Sequence, residues 1–470
     1  MTARRKEFHQ RVEEAFANPQ MRKSVPITQD NLRFGRIRAM EELKNGEAWR
    51  EIASQIRNHT LDHLQEYVNE LITNFEKNGG KAHFAKNGEE AVQTVLSIAR
   101  KHQAKRVVKS KSMVTEEIHL NHALEEDGIN VVETDLGEFI IQLAGETPSH
   151  ILAPAIHKSR QEVAELFSKE AGRPLTDRTE DLTRYARERL RQEFLDADLG
   201  ITGCNFAVAE SGSIILISNE GNARMTSSLP KVHIVVMGME RVVPTWAELD
   251  VLVTMLTRNA TGQKLSVYMT AISGPRRAGD LDGPEEVHLI ILDNGRSDIL
   301  ESKYREVLKC IRCSACVNVC PVYREIGGHA YGGVYSGPIG AVLTPLLDGM
   351  EKNKELPFAS SLCGACTEVC PVKIPLHHYL IEERKDLVEK GFLPKQERVT
   401  FQAFAFLTSH PLFYRSAVRG AGRLSPMFGR DGVLKKGPGM LAGWTDGRDL
   451  PLPAKESFHD WWRRQRGEKR

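Results

Sequence analysis

Cys310-Ile311-Arg312-Cys313-Ser314-Ala315-Cys316-Val317-Asn318-Val319-Cys320-Pro321 sets four cysteines two, two and three residues apart and then turns on a proline. A second run, Cys363-Gly364-Ala365-Cys366-Thr367-Glu368-Val369-Cys370-Pro371, repeats the latter part of that pattern. Two residues between cysteines let a short loop turn three thiolates toward one small cluster. The three-residue step before proline aims the last cysteine at a neighbouring cluster. These are iron–sulfur spacings, and they predict an electron-handling chain.

By this crossing, Cys310, Cys313, Cys316 and Cys370 hold the first 4Fe-4S cluster, while Cys320, Cys363 and Cys366 give the second only three ligands. The position where a fourth cysteine is expected is Ser360. Three readings follow: a 3Fe-4S cluster, a cubane with serine, water or another ligand on its fourth iron, or a site completed by substrate or partner. The preferred one is a 4Fe-4S cubane with one non-cysteine iron site. Zinc would use paired C-x2-4-C ligands and would not call for this run. Disulfides fit poorly, because the opening Met1-Thr2-Ala3-Arg4-Arg5-Lys6-Glu7-Phe8 has no apolar signal segment and points to a reducing cytoplasm. The eighth cysteine, Cys204, is isolated and reads as a small, half-buried apolar residue.

At 470 residues the chain is long enough for two to four structural units, and 41% apolar with 27% charged residues describes a globular protein. No apolar run approaches the roughly 20 residues of a membrane helix. A net charge of +2 gives no reason to expect nucleic acid. The charge is uneven, however: from Gln396 onward 14 Lys and Arg stand against 7 Asp and Glu. That basic tail, with Trp444, Trp461 and Trp462, suits an acidic partner surface or peripheral contact with anionic lipid headgroups.

Apolar residues recur at helical spacing from Gly46 to Phe75, and Asn78-Gly79-Gly80 stops the helix. Helical stretches (Glu89–His102, Glu116–Glu126) then alternate with extended ones (Arg106–Lys109, Ile129–Glu133), the rhythm of an α/β domain with a largely parallel sheet. A hairpin-like pair, Ala207–Ala209 and Ile214–Ile217, is followed by strands near Val232–Met237, Leu265–Ile272 and Val287–Leu292. The expected organisation is a helical N-terminal extension over 1–59, an α/β domain over 60–295, a helical 4Fe-4S domain over 296–395, and a basic, Trp-containing docking tail over 396–470. Between the cysteine runs, Ile326-Gly327-Gly328-His329-Ala330-Tyr331-Gly332 is glycine-rich, which lets backbone pass close to a cluster or partner. His329, His377 and His378 read as polar packing.

The chain lacks the glycine-rich nucleotide fingerprints, the G-x-S-x-G elbow and the H-E-x-x-H zinc motif, so nicotinamide, nucleoside-triphosphate and hydrolase chemistry have no sequence support. Within the α/β region, Lys109-Ser110-Lys111-Ser112, Glu133-Thr134-Asp135 and Glu210-Ser211-Gly212-Ser213 fall at expected strand ends. Open α/β sheets bind ligands there, and ordinary turn and cap chemistry is the alternative.

Taken together, the cysteine runs, the Gly327–Gly332 loop, Ile201-Thr202-Gly203-Cys204-Asn205-Phe206-Ala207-Val208-Ala209-Glu210 and the Trp-rich tail resemble the lactate utilization protein B family over nearly the whole length. The resemblance implies an α/β LUD domain, similar to sugar-isomerase and CoA-transferase folds, followed by an α-helical ferredoxin domain with two iron–sulfur clusters. It further implies a subunit of an L-lactate oxidation system, not NAD-dependent, that makes pyruvate with lactate utilization proteins A and C and passes electrons to an acceptor the sequence does not identify. Ser360 matches the family pattern, which implies that three-cysteine ligation of the second cluster is normal there. The CoA-transferase likeness makes Glu210 a candidate carboxylate nucleophile. A cluster-based redox sensor is a third reading; the near-neutral charge and the lack of a DNA-binding helix pair count against it.

Overall fold

The computed structural model describes residues 7–427, 429, 431–439 and 441–467; the opening Met1–Lys6 lies outside them. Four helices come first: α1 (Phe8–Phe16), α2 (Pro19–Glu41), α3 (Gly46–Asp62) and α4 (Leu64–Lys77). The apolar repeat from Gly46 to Phe75 is thus two helices, divided at His63 (φ −117°, ψ 26°). Leu61 and Leu64 are buried on either side of the break, so the periodicity runs through it undisturbed.

Alternation follows: β1 (Lys81–Ala85), α5 (Gly88–Lys101), β2 (Arg106–Lys109), α6 (Met113–Glu117), α7 (Leu120–Glu126), β3 (Asn130–Glu133), α8 (Leu136–Ala144), α9 (Arg160–Ala171), α10 (Thr179–Asp196) and β4 (Leu199–Thr202). The expected helix over Glu116–Glu126 is interrupted at Ile118–His119, where His119 takes φ +52° and ends one turn before the next begins. Next come β5 (Phe206–Val208), β6 (Ser213–Ser218), α11 (Asn222–Ser228), β7 (Val232–Gly238), β8 (Val242–Val243), α12 (Trp246–Ala260), β9 (Tyr268–Ile272) and β10 (Glu286–Leu292).

Six strands form one sheet in the order β1-β10-β7-β4-β2-β3, and every pair in it is parallel. Its central strand β7, Val232-His233-Ile234-Val235-Val236-Met237-Gly238, is buried at every residue. A strand covered on both faces reads as a continuous apolar run, and each buried Val or Ile contributes about 1.5–3 kcal/mol. The hairpin-like pair belongs to a separate four-stranded sheet, β8-β5-β6-β9, in which β5 and β6 are antiparallel. Because the six strands are parallel, all their C-terminal ends lie along one edge. Lys111, Asp135, Cys204, Arg241 and Arg296 follow β2, β3, β4, β7 and β10 respectively.

From β10 the chain enters α13 (Arg296–Glu301), α14 (Ala315–Asn318), α15 (Pro321–Ile326), α16 (Gly337–Asp348), α17 (Ala365–Glu368) and α18 (Leu376–Glu389), with no strand. One apolar core runs from Met21 and Val25 of α2 through Phe206 and Leu252 to Tyr323, Val342 and Leu380. The cysteine region therefore shares its core with the N-terminal helices and the α/β part, and Met1–Leu387 forms one compact unit.

Val388–Arg470 is a second unit. It holds α19 (Lys395–Ser409), α20 (Pro411–Leu424), β11 (Val433–Leu434), α21 (Leu441–Thr445), β12 (Leu450–Pro451) and α22 (Phe458–Gln465). None of its described apolar side chains is buried; Phe401, Phe404, Phe406 and Leu412 are exposed. No helix among the described residues is long and apolar enough to cross a membrane.

Candidate functional site

The first cysteine run winds tightly because two non-glycine residues, Arg312 and Ser314, both adopt φ +60°. The second run opens the same way, through Leu362 at φ +53° and Gly364 at φ +81°. Left-handed residues with side chains are uncommon and concentrate where the surroundings demand a particular turn. Here the demand is to gather sulfurs. Cys313, Cys316, Cys320, Cys366 and Cys370 are buried, Cys310 is half-buried, and Cys363 is exposed.

Burial pushes the Cys313 thiol up, and the neighbouring sulfurs of Cys370 and Cys310 push it further. Burial likewise raises Cys316, with Cys310, Cys313, Cys366 and Cys370 around it. A second set forms beside the first. Burial raises Cys320 with help from Cys363, and pushes Cys366 up to about 11 with help from Cys320 and Cys363. Crowded thiols that oppose one another's ionisation are a donor set suited to a soft cation, which relieves the repulsion on binding. Backbone donors prepare the sulfurs for negative charge: the N–H of Arg312 points at Cys310 Sγ (3.4 Å), that of Tyr323 at Cys320 Sγ (3.5 Å), and that of Ile374 at Cys370 Sγ (3.3 Å). The seven cysteines fit iron–sulfur clusters.

The N-terminal helices clamp these loops. Arg50 of α3 donates to the carbonyl of Cys370 from Nη2 (2.9 Å) and Nε (3.2 Å). Arg36 of α2 reaches the Val369 carbonyl, and Gln29 the Val317 carbonyl. Arg57 of α3, fully buried, donates to the carbonyls of Glu240, Val242 and Leu308. Burial and Arg241 together lower it to about 10. A helical extension over 1–59 does not by itself imply these contacts. Only the position of Arg57 among buried Ala53, Ile56 and Thr60 on α3 signals that this arginine faces inward.

Beside the first cysteine run lies a cavity of about 310 Å³ at the C-terminal edge of the parallel sheet. Its lining draws Ser110, Lys111 and Ser112 from beyond β2, Asp135 from beyond β3, Cys204 and Asn205 from beyond β4, and Glu220 from beyond β6. Ile311 and Arg312, between Cys310 and Cys313, close another side together with Arg241. Thus two of the three polar segments expected to line a pocket meet in one cavity.

The third segment is elsewhere. Glu210 is exposed, and its Oε1 accepts the backbone N–H of Trp246 (2.7 Å) in the first turn of α12. Burial pushes Cys204 up to about 12, and its Sγ donates to the Phe206 carbonyl, so it remains a thiol. His377 Nδ1 pairs with Thr367 Oγ1 (2.7 Å). His329 sits with His157 and Glu146, its Nε2 2.7 Å from the Thr147 carbonyl oxygen. Ser360 Oγ accepts the N–H of Leu362 (3.1 Å).

A buried charge network that no local sequence pattern signals adjoins this cavity through Arg241 and Arg312. Arg296 holds Glu117 and Glu240, and the Arg312 guanidinium lies 4.3 Å from the centre of the Tyr335 ring. Arg296 stands in the turn Asp293-Asn294-Gly295-Arg296-Ser297, at the boundary expected between the α/β domain ending at 295 and the 4Fe-4S domain starting at 296.

A parallel α/β sheet sharing its core with a cysteine-rich helical region defines a class of two-part proteins. Family models agree: a LUD domain matches residues 68–292, a 4Fe-4S dicluster domain matches 306–374, and the C-terminal region of lactate utilisation protein B matches 381–467. Relatives named lactate utilization protein B are similar along their full length. That of Shouchella clausii is 53% identical over 98% of this chain and 97% of its own, and that of Geobacillus thermodenitrificans is 54% identical over the same shares. That of Bacillus licheniformis is 51% identical over 98% and 97%. The chain belongs to the lactate utilization protein B family.

Proposed function

We propose that this chain is the iron–sulfur electron-transfer subunit of an L-lactate oxidation system, working with proteins of the A and C type to convert lactate to pyruvate. The observation that carries the reading is the grouping of seven cysteines into two adjoining sets, with Cys370 of the second run beside Cys313 and Cys316 of the first. Cys310, Cys313, Cys316 and Cys370 would hold one 4Fe-4S cluster; Cys320, Cys363 and Cys366 would hold another with one non-cysteine iron site. Such clusters supply one-electron oxidation and reduction, whereas a 2-hydroxy acid gives up two electrons.

The chain's own residues support that role. Burial of most of the sulfurs keeps water out, while backbone N–H groups and the surrounding arginines stabilise negative charge on the ligands. Cys363, the exposed cysteine, marks the side open to a partner or acceptor. The strand-free build of residues 296–387 supports an α-helical ferredoxin arrangement. No observation favours acyl transfer through Glu210, whose carboxylate is engaged at α12.

Replacing Cys313 or Cys366 with alanine tests the reading. Each variant should lose visible absorption, iron content and one set of paramagnetic signals, and the cells should lose growth on lactate. Unchanged lactate oxidation in both variants overturns it.

A further inference from the structure

Two groups of charged side chains face the cavity at the sheet edge. One group is Lys111, Asp135 and Glu220, the other Arg241 and Arg312. In the first group the lysine lacks a close acceptor. Lys111 Nζ is shielded from water and has no hydrogen-bond acceptor; the nearest carboxylate oxygen is Glu138 Oε1 at 3.8 Å. That gap is too long for a hydrogen bond, and burial, chiefly, raises Glu138 toward its neutral form. In the second group Arg241 and Arg312 share one carboxylate, Glu240, at 3.6 Å from each, Arg296 also draws on it, and Arg241 Nη1 donates to the Cys310 carbonyl at 3.2 Å. Arg312 Nε and Nη1 are shielded and without partners.

Buried donors left without acceptors cost stability, and a cation left so costs most. Two cations with unpartnered donors, Lys111 and Arg312, lining one polar cavity at the carboxyl ends of parallel strands are the arrangement of a ligand site waiting for an anion. The ligand's shape follows from what accompanies the cations. A guanidinium presents paired N–H groups to a carboxylate or phosphate. Burial and the Asp135 carboxylate push Glu220 up to about 7, so it suits a ligand hydroxyl or oxo oxygen better than a second negative charge, and Lys111 or Ser112 donates to a carbonyl.

We infer that this cavity binds a small monocarboxylate bearing a hydroxyl or oxo group, its carboxylate on the Arg312 guanidinium and its second oxygen on Lys111 and Glu220. The inference rests on the electron-transfer reading only for the choice of probes. Because Ile311 and Arg312 belong to the loop between Cys310 and Cys313, a bound ligand lies against the first cysteine set.

The test uses the full-length protein with its clusters. L-lactate, pyruvate and inorganic phosphate are titrated separately while thermal unfolding and the paramagnetic spectrum are followed. L-lactate or pyruvate should raise the unfolding midpoint saturably and alter the line shape of one cluster. Lys111→Gln and Glu220→Gln, with iron content retained, should each weaken that binding at least tenfold. Stabilisation by phosphate alone overturns the carboxylate assignment. No saturable response in the wild-type protein, or unchanged affinity in both variants, overturns the site. In each of these cases intact cluster signals leave the electron-transfer reading standing.

Discussion

Arg296 grips Glu117 with both ends of its guanidinium, Nη1 to Oε1 and Nη2 to Oε2, each at 2.9 Å, while its Nε donates to Glu240 Oε2 at 2.7 Å. Arg296 begins α13, where the sheet ends and the cysteine region starts. Glu117 ends α6, and Glu240 follows β7. Tyr335, from beyond the first cysteine run, donates to Glu117 Oε2 at 2.8 Å. One buried cation therefore joins the sheet edge to the cluster region. Glu117 and Arg312 complete a network in which Glu240, against the pull of burial, is held down to about 2 by Arg296 and Arg241.

Replacing Arg296 with methionine leaves two buried carboxylates without their shared cation. Breaking a buried pair from one side costs about 3–5 kcal/mol. Chemical denaturation of Arg296→Met should show a fall of that size, and cluster absorption should be lost at lower denaturant than in the wild type. A midpoint within experimental error of the wild type would show that the network contributes nothing to stability.

Stability should fall as pH rises through the range set by Glu138. Burial raises its pKa from 4.5 to about 8, with Glu133 adding to the shift and Lys111 opposing it. The unfolded chain releases this proton near 4.5 and the folded chain near 8. Between those values the native state binds more protons, so stability is full below about 4.5 and is lost as pH climbs through about 8. For a buried group the total is on the order of a few kcal/mol. Denaturation midpoints at pH 6 and pH 8.5 should differ less in Glu138→Gln than in the wild type. An equal difference in both would remove Glu138 as the cause.

Much of this arrangement is legible in the sequence because it rests on local pattern. The cysteine spacings identify the cluster region, and apolar runs with polar ends at Lys109–Ser112 and Glu133–Asp135 mark a sheet edge where a cavity does lie. Long-range contacts leave no such trace. Arg36, Arg50 and Arg57 look like the solvated faces of helices, yet they bind carbonyls about 200–330 positions away; Arg57 to Glu240 and Arg50 to Cys370 span 183 and 320 residues. Strand β1 is masked by its mostly unburied residues, and Gly200 interrupts the apolar run of β4. Lys81-Ala82-His83-Phe84-Ala85 has a single fully buried residue, Ala85. The Asp293–Ser297 turn is also a packing junction, because the side chain that matters there points inward.

Gly328 offers a sharper case, since the glycine-rich loop was expected to bring backbone close to something. A Cβ at Gly328 would lie 1.6 Å from the Ser149 carbonyl oxygen, which also accepts from Tyr323 Oη at 2.9 Å. The backbone at Gly328 is ordinary (φ −80°, ψ −37°), so strain is not the issue; space alone excludes a side chain. Gly328→Ala should cost about 3 kcal/mol or more, as overpacking against backbone does. The thermal midpoint should drop, with cluster content falling as the cysteine loop is displaced. An unchanged midpoint would mean that the loop has room to move.

Ser360 is the position at which the second cysteine set differs from a full complement, and its hydroxyl already has a task. Oγ accepts the N–H of Leu362, which lets Leu362 adopt φ +53° immediately before Cys363. A hydroxyl occupied in shaping the turn is a poor candidate for an iron ligand, so in the proposed second cubane the fourth iron is expected to take water or a partner's group. Ser360→Ala should then lose about 1 kcal/mol for one hydrogen bond and keep the wild-type iron-to-protein ratio and paramagnetic spectrum. Conversion of the second signal to that of a three-iron cluster in Ser360→Ala would place the serine on iron. A parallel change in Cys363→Ala, which removes a cysteine of the same set, calibrates how large a ligand loss looks in the same measurement.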